Sequence, residues 1–293
     1  MKKSLLLTVI MAATAAAAYA QFTYTSLDFP GGDATTARGI NNRGDIIGAY
    51  RITNTPPRHA LLIRRGQFLP LAPSTVLGAD YSEALKINDH GDVVGQYITD
   101  DGVSHGFLLS KGVATTLDFP GASDTYAFDI NEAGVVVGYW DILDALGNVL
   151  ATHGFVWTNG TFSEVNFPGS ADSVVLGINA EGEYVGEWDS DITSTVGHAF
   201  LYTDGHFTSF DFPEATLTQA DDINERGQIV GVYIDGNGGT HGFLKSRDSY
   251  TSIDFPGAAV TAAWGINDRG QIVGVHRDTV GAKPRGFIAQ RRE

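Results

Sequence analysis

The chain has 293 residues, with 19 Lys and Arg against 34 Asp and Glu, for a formal net charge of −15. That balance excludes nucleic acid or an anionic membrane as the main partner, since both reward clustered positive charge. No cysteine is present, which excludes disulfides, thiolate metal sites and Cys nucleophiles, while 36 glycines beside 11 % aromatic residues point to many short strands rather than long helices.

Residues 1–20 read as a signal peptide. Lys2 and Lys3 form a basic start, an apolar run extends from Leu5 to Ala18, and Ala18-Tyr19-Ala20 sets small residues where a signal peptidase inspects. The run is too short to span a bilayer, which takes about 20 residues. Cleavage near Ala20 predicts a secreted product, periplasmic or extracellular, with no membrane insertion. Residues 21–293 then form a single domain.

That domain is built from six copies of one unit. Ile-Asn recurs at Ile40, Ile87, Ile130, Ile178, Ile223 and Ile266, each opening Ile-Asn-x-x-Gly-x-apolar-apolar-Gly. Asn-x-x-Gly is a type I turn closed by a residue of positive φ, so it joins two short strands. The second glycine (Gly48, Gly95, Gly138, Gly186, Gly231, Gly274) lies inside a strand and marks a bulge or a close backbone approach. Two residues later stands a ring: Tyr50, Tyr97, Trp140, Trp188, Tyr233 or His276. A second hairpin opens at His59, His105, His153, His198, His241 and Arg285, turns at pairs such as Asn159-Gly160 and Asp204-Gly205, and ends in Asp-Phe-Pro or a relative. Proline has no N–H for a ladder and stops each strand. The second copy of Asp-Phe-Pro departs, reading Leu69-Pro70-Leu71 and then a longer loop.

Four strands per unit at a period near 45 residues predict an all-β, six-bladed β-propeller of four antiparallel strands per blade. The first and last units are cut mid-repeat and complement each other, so the N- and C-terminal strands close the ring. Small residues three positions before each isoleucine (Ala37, Ala84, Ala127, Val175, Ala220, Ala263) suit a crowded centre and set the Ile-Asn strand innermost. Phe22–Phe29 is then the outermost strand of the last blade; a cut one hairpin earlier gives the same ring.

The His-Ala/Gly-Phe triplets, complete as His198-Ala199-Phe200, together with the Ile-Asn-x-x-Gly turns and the signal peptide, resemble the bacterial extracellular repeat proteins of the HAF family. The resemblance spans nearly all of residues 21–293. The departures are Leu61, Arg285 and the second Asp-Phe-Pro, lost at Leu69-Pro70-Leu71. It implies export and repetition, and it carries no functional residues.

The aligned histidines read as structural groups bonding backbone of their own or the next blade, since equivalent positions spread around a ring cannot converge on one ion. No metal and no cofactor is expected. Gly102-Val103-Ser104-His105-Gly106 matches a nucleophile elbow but leads into a repeat strand rather than a helix. Asp235-Gly236-Asn237-Gly238-Gly239 lacks the sixth-position glycine of a calcium loop. Loop length varies on the face carrying the Asp-Phe-Pro ends. There Trp140, Asp141 and Asp144 beside Trp188, Asp189 and Asp191 set aromatic faces near carboxylates, as a sugar or cationic ligand requires. The expected function is a non-enzymatic scaffold or binding module for a carbohydrate, peptide or surface partner. The alternative is a polysaccharide hydrolase or lyase at the channel mouth, which needs repeat-breaking polar residues from several blades to meet in one pocket.

Overall fold

The computed structural model describes residues 21–52, 58–71, 81–191 and 196–292, and every helix or strand among them is a strand. No helix among these residues is long and apolar enough to cross a membrane. The signal-peptide segment and most of the longer loop at Leu71 lie outside them.

The chain opens with β1 (Phe22–Leu27). Unit one follows as β2 (Gly32–Ile40), β3 (Ile46–Ile52), β4 (His59–Arg64) and β5 (Gln67–Pro70). Unit two is β6 (Tyr81–Ile87), β7 (Val93–Ile98), β8 (Ser104–Ser110) and β9 (Val113–Leu117). Unit three is β10 (Asp124–Ile130), β11 (Val136–Leu143), β12 (Val149–Thr158) and β13 (Thr161–Val165). Unit four is β14 (Asp172–Ile178), β15 (Tyr184–Asp189), β16 (His198–Thr203) and β17 (His206–Phe210). Unit five is β18 (Leu217–Ile223), β19 (Gln228–Ile234), β20 (Thr240–Ser246) and β21 (Ser249–Ile253). Last come β22 (Val260–Ile266), β23 (Ile272–Arg277) and β24 (Arg285–Arg291).

Units one to four are separate four-stranded antiparallel sheets. Where the repeat predicts separate blades throughout, β18–β21 and β22–β24 run together as one eight-stranded sheet that includes β1. Their only junction is a parallel bridge between Thr240 and Val260. β1 pairs antiparallel with β24, Phe22 opposite Arg291 and Leu27 opposite Gly286, so the two chain ends complete one meander. The inner strands β2, β6, β10, β14, β18 and β22 touch one another in that order, and β2 touches β22 to complete the circuit. This is a closed propeller with the Ile-Asn strands at its axis.

Each repeated residue has a mechanical task. Asn41 Oδ1 accepts from the backbone N–H of Arg43 and Asp45, while Gly44 takes φ of 82° and closes the turn onto the Asn41 carbonyl. The Asn41 amide donates to the Asn88 carbonyl of the next unit at 3.1 Å, and Asn88 to Asn131, Asn131 to Asn179, Asn224 to Asn267 and Asn267 back to Asn41 do the same. The Asn179 amide bonds Glu183 at 2.8 Å, as Asn88, Asn224 and Asn267 bond Asp92, Gln228 and Gln271, but it does not bond the next unit's carbonyl. A parallel ring runs from the backbone N–H of Asn42 to Asp89, Asp89 to Glu132, Glu225 to Asp268 and Asp268 to Asn42. It breaks where Ala180 offers no acceptor to Glu132.

The strand glycines permit a close approach. A Cβ on Gly138 would stand 1.9 Å from the Tyr126 carbonyl oxygen, and Gly48, Gly95, Gly186, Gly231 and Gly274 are equally crowded. Opposite each glycine the inner strand carries a bulge, skipping Arg38, Leu85, Phe128, Leu176, Asp221 and Trp264. The small residues expected at the centre are buried between units instead: the Ala37, Ala127 and Ala263 Cβ atoms face Gly286, Gly106 and Gly242 of the preceding unit.

Histidine does not reach backbone as the repeat suggests. His105, His198 and His241 pair through Nδ1 with Asp118, Asp211 and Asp254 of their own unit's Asp-Phe-Pro, at 3.0, 2.9 and 2.7 Å, and His153 pairs with Asn166. In the last unit Arg285 makes the same pairing to Asp28 across the closing seam. The following phenylalanine donates its N–H to a Thr or Ser of the next inner strand, as Phe119 does to Thr125 at 3.0 Å.

Candidate functional site in the axial channel

The Trp–Asp loops are not an open platform. Trp140 is 7 % exposed, parallel to Phe119 at 4.5 Å and against His153 at 4.8 Å. Trp188 lies likewise between Phe167 and His198, and its indole N–H donates to Ser209. These rings do what Tyr50 and Tyr233 do against Phe29 and Phe212, so their faces are taken by the repeat itself. Asp141 is buried and accepts from Thr152, and burial raises its pKa. Asp144 caps its own turn through Asn148, whose side-chain bond lowers its pKa. Asp189 has its pKa raised by burial, and Asp191 stands at an exposed bend. The structure therefore does not gather the six residues into one concave site.

It gathers others. Because the bulge turns extra side chains inward, the axis is lined by residues that differ in every unit. Beneath the asparagine ring, Lys86 Nζ stands 2.6 Å from Asp222 Oδ2, although the approach does not meet hydrogen-bond geometry. Asp129 accepts from the backbone N–H of Ile130 and Ile178, and Asp222 from those of Ile223 and Ile266. Glycine fills this level in the other three units (Gly39, Gly177, Gly265) and leaves room for the longer chains: a Cβ on Gly39 would meet Lys86 at 2.8 Å and one on Gly177 would meet Asp222 at 2.7 Å. Burial raises the pKa of Asp129, opposed by Lys86. A cavity of about 70 Å³ sits here, on the turn side of the channel.

One layer up, Arg38, Leu85, Phe128, Asp221 and Trp264 converge around a void of only about 10 Å³, too small to hold a water comfortably. They close the channel between its two halves. The Arg38 guanidinium lies 3.8 Å over the Trp264 ring. Asp221 is fully buried, which pushes its pKa well up against the pull of Lys86 and Arg38.

The half opening toward the loop face is polar and aromatic. Arg38 Nε donates to Glu83 at 3.0 Å, with Arg58 3.5 Å away. Burial works to raise the Glu83 pKa, but the two guanidiniums outweigh it and hold the carboxylate ionised below its ordinary range. Tyr81 donates its hydroxyl to the other Glu83 oxygen. Across the channel Gln219 Nε2 donates to Glu187 at 2.6 Å, and burial lifts Glu187 to about 7, Asp189 adding to the rise. Tyr126 and Tyr139 stack at 4.5 Å. Arg38, Tyr126, Phe128, Tyr139, Glu187, Gln219 and Trp264 all retain partial exposure. This side of the axis therefore gathers two carboxylates whose pKa values are shifted in opposite directions, a guanidinium and several rings.

Sequence reasoning missed these residues because it aligned what repeats. The signal was the dipeptide before each Ile-Asn, which changes from Arg38-Gly39 to Leu85-Lys86, Phe128-Asp129, Leu176-Gly177, Asp221-Asp222 and Trp264-Gly265. Among the described residues, His, Asp and Glu form no group suited to a metal ion. Ser104, at the elbow-like sequence, is buried at the start of β8 with its N–H on Asp124, and Asp235 caps a tight turn.

Closed circuit, meander sheets and axial channel together define a β-propeller, and solved propellers share the fold. The β-propeller domain of the Trilobed protease from Pyrococcus furiosus matches at TM-score 0.52 and 9 % identity, over 88 % of this chain and 97 % of that one. A protein of unknown function from Dyadobacter fermentans matches at TM-score 0.58 and 10 % identity, over 93 % and 98 %. A lectin from Aleuria aurantia, solved in complex with Fucalpha1-6GlcNAc, matches at TM-score 0.53 and 11 % identity, over 87 % and 91 %. The family described as "Protein of unknown function (DUF3466)" matches residues 78–236, more than half of the sequence, and the chain belongs to it. No curated protein matches by sequence.

Proposed function

We propose that this chain is an exported, six-bladed propeller of the HAF-repeat kind that binds a carbohydrate in the loop-face half of its channel. One observation carries the reading: the repeat is kept at most positions that build the ring and abandoned at the positions that face the axis. A purely structural channel needs only equivalent residues, whereas Glu83 and Asp221 place costly buried charge there, beside the partly exposed Arg38, Glu187, Gln219 and Trp264. Rings beside fixed hydrogen-bonding groups in a concavity are what a sugar requires. The lectin likeness fits this ligand class, though at 11 % identity it speaks for the fold alone. Six blades are supported by six units of four strands, two of them joined by one bridge. Export is supported by Lys2, Lys3, the apolar run and Ala18-Tyr19-Ala20.

A glycan array tests the reading. The purified protein retains a defined set of glycans, and Trp264→Ala or Gln219→Ala loses at least tenfold in affinity while Asp144→Asn, on the exposed turn, does not. Retention of no glycan, or equal retention by the channel variants, removes it.

A second reading rests on the opposed carboxylates. Glu187 holds its proton to about pH 7 while Glu83 stays ionised, the division of labour that glycoside hydrolysis uses for acid and base. Incubating a retained glycan with the protein decides it: shorter products, lost in Glu187→Gln, mark a hydrolase, and an intact glycan marks a binding module.

A further inference from the structure

On the turn face, opposite the loop-face pocket, the seam between units one and two holds a groove of about 570 Å³. Its floor is apolar, formed by Leu62, Leu71 and Leu109 with Val93. Its walls carry Arg43, Arg64, Arg65 and Lys111 against one lining carboxylate, Asp45. Arg64 spans both Asp45 oxygens at 3.0 and 2.9 Å, and Arg43 approaches the same group at 3.7 Å. One buried carboxylate therefore neutralises one of two guanidiniums. Arg65 and Lys111 have no ion pair among the described residues; each occupies the tip of a two-residue hairpin at φ of 51° and 52°. Four cations against one anion is anomalous in a chain of net charge −15.

Three of the four cationic positions recur, without the leucine floor. Arg226, Arg247 and Arg291 occupy the repeat positions of Arg43, Arg65 and Lys111 and line a groove of about 580 Å³ between units five and six. At the same hairpin tips units three and four carry Asn159 and Asp204, so the turn itself does not require a cation. Mutual repulsion within such a cluster costs stability unless an anion relieves it.

We propose that the groove between units one and two is a site for an amphiphilic oxyanion. A phosphate-type head sits between Arg65 and Lys111, and the apolar part lies on the leucine floor. Arginine forks and lysine ammoniums are the groups that recognise such heads, and a contiguous apolar floor explains why the head alone does not complete the fit. The site is independent of the channel reading.

Calorimetric titration with hexyl phosphate, beside inorganic phosphate and hexanol, tests it. The full-length protein binds hexyl phosphate saturably and more tightly than either fragment, and added salt weakens the binding. Arg65→Asn with Lys111→Asn, which borrows the tip residue of unit three, does not lower the melting temperature of the ligand-free protein and weakens binding about tenfold. Sedimentation with phosphatidylglycerol vesicles separates the sources: co-sedimentation lost in the double variant identifies a lipid head group, and none identifies a soluble ester. No saturable binding of hexyl phosphate, or equal binding by the double variant, overturns the proposal.

Discussion

Glu187 shows how a single side chain reports on the channel. Its carboxyl is desolvated beside Gln219 and rises from the ordinary 4.5 to about 7. A raised carboxyl binds its proton more tightly folded than unfolded. It therefore costs nothing below pH 4.5 and progressively more as pH rises toward 7. Glu187→Gln keeps the acceptor for Gln219 and removes that cost. The variant should match the parent at pH 4.5 and exceed it at pH 8 by on the order of 3 kcal/mol in chemical denaturation. Equal stability of the two at pH 8 would mean that the carboxyl is solvated. His241 supplies a contrast: its bond to Asp254 raises its pKa, so its contribution is full below the unfolded value and fades as pH rises through the folded one.

At the scale of the element, the turn asparagine sets both the hairpin and its docking to the next unit. Asn131→Ala removes two caps, to Ala133 and Val135, and the bond to Asn179; Asn179→Ala removes one cap and one side-chain bond, both to Glu183, and no inter-unit bond. Asn131→Ala should therefore be the more destabilising, by about 1 kcal/mol in urea unfolding. Equal losses would show that the inter-unit ring contributes nothing. Such elements were legible in the sequence because their causes are local: Gly134 must take positive φ, Pro120 must end a strand, and Gly138 must admit the Tyr126 carbonyl. The channel was not legible, because a period-two reading assumes an unbroken strand. The bulge between Ala37 and Gly39 inserts one residue, so Arg38 meets the axis while Ala37 packs on the neighbouring unit. Trp140 and Trp188 stand at a position that carries a ring in nearly every unit, and there they stack on Phe119 and Phe167.

Across the whole molecule, closure converts the repeated hairpin pairs into a wheel with two unlike faces. The seam is the antiparallel pairing of β1 with β24, reinforced by Arg285 on Asp28 and by Phe22, 1 % exposed, in the core of the last sheet. The circuit also closes where β2 packs on β22, β23 and β24 and where Asn267 bonds the Asn41 carbonyl, so the seam adds to those contacts. Because the chain contains no cysteine, one engineered bond reads the seam without interference. Thr23 and Gln290 face each other across it, both exposed. Facing residues in an antiparallel pair lie within disulfide reach. Thr23→Cys with Gln290→Cys should oxidise quantitatively within the monomer, shift its mobility on a non-reducing gel, and raise the melting temperature relative to the reduced form. Failure to form the bond in the folded protein, or a bond that lowers the melting temperature, would contradict the closed ring.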